Sequence, residues 1–265
     1  MKYKLFIFLV TLAAAAPAHA GSSEWTKTPG GSVRLVVDKA LSHANEIRGV
    51  VQINLDPGWK TYWREPGDAG VPPELNINGS TNVKNAVLAF PAPHRFDDGG
   101  MHWAGYKKPV SLPVTFTLVD PNRSTRLKGH AFLGICETIC IPVTAEFDIP
   151  LGQAQSDPLS KTLIETAFEE LPSSASAIFG AASATKDGDD IKFVVNLPAD
   201  DPDTDVFVAG NGTTAYGMAK LEKRDAKSAV FSVPVTSGSQ EKFTTLNYTL
   251  VQGKQAVSGT IDVRE

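Results

Sequence analysis

Between Ser32 and Leu151 the apolar residues come in short runs of Val, Ile, Leu and Phe that partly alternate with polar ones. "SVRLVVDKA", "EIRGVVQINL", "KNAVLAF", "VSLPVTFTLV", "TRLKGHAFLGI" and "TAEFDIPL" each have the length and composition of a β-strand. Turn clusters, "DPGW", "EPGDAG", "DDGG" and "DPNRS", separate them, and no helical period runs through this part of the chain.

The pattern changes after Leu151. Asp157 and Pro158 make a helix start, Leu163, Ile164, Ala167, Phe168 and Leu171 follow at helical spacing, and Pro172 stops the run. A small-residue stretch comes next. Past Asp187 strands return with "DIKFVVNLP", "TDVFVAG", "SAVFSVPV", "FTTLNYTLV" and "AVSGTIDV". The expected fold is all-β: two immunoglobulin-like antiparallel sandwiches, residues 21–151 and 187–265, joined by a helix and linker over 152–186.

Ahead of the first strand, Lys2 and Lys4, an apolar run from Leu5 to Ala16 and the small-residue motif Ala18-His19-Ala20 read as a secretory signal peptide, residues 1–20, cut after Ala20. The run is short for a membrane span, and nothing downstream offers one. The chain carries 25 basic residues, two of them in that leader, against 29 acidic ones. An acidic exported chain argues against nucleic acid or an anionic membrane surface as its partner.

The chain has two cysteines, Cys136 and Cys140, within "LGICETICIPV". Export places them in an oxidising compartment, so a disulfide is the expectation. In an extended strand residues four apart are separated by about 13 Å, beyond the roughly 4.4–6.8 Å that a disulfide tolerates between Cα atoms. If the two bond, Glu137-Thr138-Ile139 must turn tightly. Closing so short a loop contributes only about 2 kcal/mol, which makes a weak staple, whereas short-range disulfides suit exchange with other thiols. Redox exchange, a structural disulfide and metal binding all stay open on cysteine arithmetic. Glu137 beside Cys136 is a candidate modulator that would raise a thiol pKa, and no cation occurs from Ala131 to Val143. That fits a disulfide attacked from outside better than a free nucleophile.

Copper would accept Cys, His and Met, but His43, His94, His102 and His130 show no short ligand spacing, so no metal site and no cofactor is assigned. Aromatic residues crowd two segments, "DPGWKTYWREPGDAGVPPEL" and "FPAPHRFDDGGMHWAGYKKPVSLPV". They read as loops at the sandwich edge, and Trp59, Tyr62, Trp63, Phe96 and Tyr106 are candidates for a cap or docking rim over the disulfide.

"GWKTYWREPGDAGVPPEL", "FPAPHRF", "GYKKPVSLPV" and "CETICIPV" together resemble the periplasmic N-terminal domain of the thiol:disulfide interchange protein DsbD, and the ScsB-type branch more closely. The resemblance covers roughly Trp25 to Leu151 well and the remainder loosely. It implies an immunoglobulin-like domain whose cysteine pair, here Cys136 and Cys140, shuttles electrons between a membrane-embedded thiol reductant and periplasmic thioredoxin-like proteins. DsbD itself spaces its pair more widely, which favours the ScsB-type branch. Family members continue into membrane and thioredoxin-like domains; this sequence ends at Glu265, so on this reading the donor is a separate protein. The expectation is a periplasmic thiol-disulfide exchange protein of the protein-disulfide reductase type. The alternatives are a non-catalytic binding module with a structural disulfide and a copper-handling protein.

Overall fold

The computed structural model describes residues 21–68, 70–152, 157–210, 214–237 and 245–265. The signal-peptide reading for residues 1–20, and the side chain of His43, lie outside them.

Strands form wherever the apolar runs predicted them, and also where they did not. In chain order they are β1 (Thr26–Thr28), β2 (Gly31–His43), β3 (Glu46–Leu55), β4 (Thr61–Gly67), β5 (Glu74–Asn76), β6 (Val83–Leu88), β7 (His94–Asp98), β8 (Met101–Tyr106), β9 (Val110–Leu118), β10 (Thr125–Cys136) and β11 (Cys140–Leu151). One sheet has the order β1-β2-β3-β9-β6 and a second the order β11-β10-β5. Leu35, Val51, Ile53, Leu112 and Phe116 of the first share one hydrophobic core with Leu127, Leu133, Val143 and Phe147 of the second. In β11 every second residue from Val143 to Leu151 is buried, the alternation a sheet with one wet face requires.

The expected helix is present as α1 (Pro158–Glu169). Asp157 caps it by accepting from the backbone N–H groups of Leu159 and Ser160. Ile164 and Ala167 pack on Val36 and Val50, which pair across β2 and β3 and point away from the core that Leu35 and Val51 fill.

The small-residue stretch after the helix is not a plain linker. Ser173–Ser174 and Gly180–Asp187 are strands, the latter paired with Asp190–Asn196 through a hairpin at Gly188. Alanine and serine carry weak strand propensity, so the pairing comes from the partner strand. Two further sheets enclose a second core around Phe193, Phe231, Val206 and Leu250. The strand Thr204–Ala209 is buried on both faces: Val206 and Val208 enter the second core, while Phe207 and Ala209 enter the first. The two halves therefore share a packed boundary.

The aromatic segments expected as edge loops instead contribute a third sheet to the first half, order β4-β8-β7. It lies over the end of β10.

Candidate functional site

β10 and β11 are consecutive antiparallel strands whose register sets Cys136 directly opposite Cys140. The residues between them close the hairpin, with Glu137 N–H donating to the Ile139 carbonyl. The cysteines are joined in a disulfide, with Cα atoms 4.1 Å apart. The two cysteines differ in access. Cys136 is fully buried, whereas Cys140 is exposed at the hairpin tip beside Ile139, whose side chain is 69% exposed.

The start of β4 is stitched across the end of β10. Lys60 and Cys136 exchange both backbone hydrogen bonds, at 2.8 and 2.9 Å, and the buried Thr61 hydroxyl donates to the Gly134 carbonyl at 2.9 Å. This aims the next side chain, Tyr62, at the disulfide, and its hydroxyl lies 3.4 Å from Cys140 Sγ. Before it, "DPGW" turns with Gly58 at φ 90°; a side chain there would stand 3.1 Å from the Glu137 carboxylate.

Tyr62, Trp103 and Cys136 form one small buried cluster, with Phe96 packed against it. Tyr62 meets Trp103 edge to face at 5.6 Å between centroids, and Phe96 stacks on Trp103 at 4.2 Å. The Trp103 indole N–H donates to Asp98 at 2.8 Å. Asp98 also pairs with Lys60 and, at 3.6 Å, with Lys107. Both ammonium groups sit over the aromatic faces, Lys60 at 4.5 Å from the Trp103 centroid and Lys107 at 4.4 Å from that of Phe96. The Lys60 hydrogen bond, helped by Trp103 and Lys107, holds the Asp98 carboxyl below its usual range, while burial and then the nearby Asp98 charge push the Tyr62 hydroxyl up.

A cavity of about 410 Å³ opens between the two cysteines, Tyr62, Trp103, Lys60 and Lys107. Two cations and two carboxylates, Asp98 and Glu137, line it, so its formal charges balance. Local sequence showed no cation near the pair; the fold supplies two from segments remote in the chain.

Of the other sequence candidates, Trp63 and Tyr106 lie in the main core, not over the disulfide, and Trp59 packs against that core beside the Gly30 turn. Burial pushes the Tyr106 hydroxyl well above its ordinary value. Glu137 is exposed at the hairpin tip. The structure thus brings Tyr62, Phe96, Cys136 and Cys140 together. Sequence reasoning missed Trp103, Asp98, Lys60 and Lys107 as site residues, although all four stand in or beside the quoted aromatic segments. No group of three or more His, Cys, Asp or Glu side chains poised to hold a metal occurs among the described residues. No helix among them is long and apolar enough to cross a membrane.

Residues 33–151 match the family model described as thiol:disulfide interchange protein DsbD, N-terminal. No curated protein sequence matches the chain. Among solved structures, the N-terminal periplasmic domain of ScsB from Proteus mirabilis superposes with a TM-score of 0.75 at 23% identity, covering 93% of this chain and 99% of that one. At that identity the likeness is one of fold, and it extends over both halves of the molecule.

Proposed function

Residues 33–151 being a DsbD N-terminal-like domain, a thiol-disulfide exchange module, we propose that the chain relays electrons through the Cys136–Cys140 pair. The observation that carries this reading is the asymmetry of the disulfide: one cysteine exposed, the other buried beneath an aromatic cap. A thiolate of a reduced dithiol partner attacks Cys140 Sγ, forming a mixed disulfide, and Cys136 leaves as a thiolate that takes up a proton. The partner's second thiol then attacks its own sulfur in the mixed disulfide and releases Cys140. The partner ends oxidised and this chain holds two thiols. Two electrons have moved. Delivery to an acceptor disulfide runs the same steps in reverse, with Cys140 attacking and Cys136 resolving.

The domain boundaries that go with this reading are an immunoglobulin-like redox sandwich over 21–151 and a smaller sandwich over 187–265. The partners are a membrane thiol reductant and thioredoxin-like proteins of the periplasm. Tyr62, Phe96 and Trp103 serve as the cap, limiting which thiols reach Cys136.

The test is the reduction potential of the pair together with trapping of a mixed disulfide by Cys136→Ser, which keeps the attacked sulfur and removes the resolving one. The expected result is a potential above about −300 mV and a trapped thioredoxin-like partner. A lower potential with nothing trapped would leave a structural disulfide in a binding module.

A further inference from the structure

The five-residue strand β7 presents alternate side chains to opposite sides, as strands must. On one side, Phe96 stacks on Trp103 and Asp98 pairs with Lys60, both over the disulfide. On the other, Arg95 reaches the second half of the molecule. Its Nε donates to Asp205 Oδ2 at 2.7 Å and its Nη2 to Asp205 Oδ1 at 2.5 Å, a forked ion pair with each side chain about three-quarters buried. Asp205 is itself held, accepting from the Val206 N–H at 2.8 Å.

The strand β4, which carries Tyr62, touches the second half as well. Trp63 of β4 meets Phe207 edge to face at 5.9 Å, and Gly67 lies against Met218 of the second half, where a Cβ would stand 3.2 Å from its sulfur. β8 pairs with β4 at Tyr106 and Gly105, and the register then slips so that the next pairing is Trp103 with Gly67. The hairpin is thus laddered to β4 at its root, while its outer half, where Phe96 and Trp103 cover Cys136, is tied to β4 by the Trp103–Gly67 pairing and by two hydrogen bonds between His102 and Asp68.

We propose that the second sandwich is a backstop for the cap, and that Arg95 and Asp205 are positioning residues holding the β7–β8 hairpin closed over Cys136. The inference deepens the exchange reading and rests on it for its purpose. The access it describes, however, is measurable with no protein partner.

The experiment is the rate of disulfide reduction by dithiothreitol in the full chain, followed alongside thermal unfolding. Arg95→Gln and Asp205→Asn should each raise that rate about fivefold, the order expected when one partly buried ion pair stops holding a lid shut. The charge swap Arg95→Asp with Asp205→Arg should bring it back toward the parent value. Arg224→Ala, which breaks the ion pair to Asp200 elsewhere in the second half, should leave it unchanged. If Asp205→Asn does not fold, Arg95→Lys keeps the charge, loses the fork and reads the same rate. Unchanged rates in folded Arg95 and Asp205 variants would overturn the proposal. So would an equal rise in Arg224→Ala, which would mean general loosening. The relay reading fails separately, if dithiothreitol reduces the parent disulfide and no thioredoxin-like protein does.

Discussion

Trp103 meets Tyr62 edge to face, stacks on Phe96, donates its indole hydrogen bond to Asp98 and lies under the Lys60 ammonium. Trp103→Ala should therefore cost about 3–5 kcal/mol in urea unfolding, the range for deleting a buried aromatic. Trp103→Phe, which keeps the stack and removes the N–H, should cost only about 1 kcal/mol. Asp98 gives the cap a pH dependence whose sign follows from its environment. Its carboxyl is held below the ordinary value, first by the Lys60 hydrogen bond. Such a group stabilises the closed form above its unfolded value of about 3.9, and that contribution is lost as pH falls through the lower folded value. Acidification from pH 5 toward 2 should change the tryptophan emission of the parent, and Asp98→Asn should remove that step while leaving any other acid transition.

At the scale of elements, the β10–β11 hairpin does not need its disulfide. The ladder from Thr125–Leu151 to Cys136–Cys140 sets the register, and alternate β11 side chains are buried along most of it. Closing the short loop contributes about 2 kcal/mol. The reduced protein should keep its far-ultraviolet circular dichroism and lose only about 4–8 °C in Tm. This hairpin was legible in the sequence, since alternating Val, Ala, Phe and Ile announce a half-buried strand and two cysteines in one chain have one way to pair. The cap sheet was not. "HRFDD" and "MHWAGY" are short, polar and aromatic, and they become strands by pairing with each other across Gly99 and Gly100, both at positive φ. Nor could local reading find Lys60 against Asp98, which the fold joins from 38 residues apart. Gly180–Asp187 was hidden by its small residues, which carry little propensity of their own.

The molecule as a whole is two cores with a common wall, and Phe207 is part of that wall. It belongs by chain position to the second half and by packing to the first. The four tryptophans, Trp25, Trp59, Trp63 and Trp103, all stand in the first half. Tryptophan emission thus reads mainly that half, with Trp63 also sensing Phe207, whereas circular dichroism reads both. In the parent the two urea transitions should coincide. Phe207→Ala, which deletes a buried ring at the boundary, should cost about 3–5 kcal/mol and separate them. Coincident transitions in that variant would mean that the halves are coupled through other contacts.

The ladder that sets Cys136 opposite Cys140 has a further effect once the disulfide opens. If it survives reduction, as expected above, the two thiols stay at a high effective molarity toward each other. A partner caught on Cys140 faces a resolving sulfur that has no search to make. The covalent complex should be brief in the parent protein, and the hairpin thereby acts as a built-in release mechanism for whatever it has just bonded.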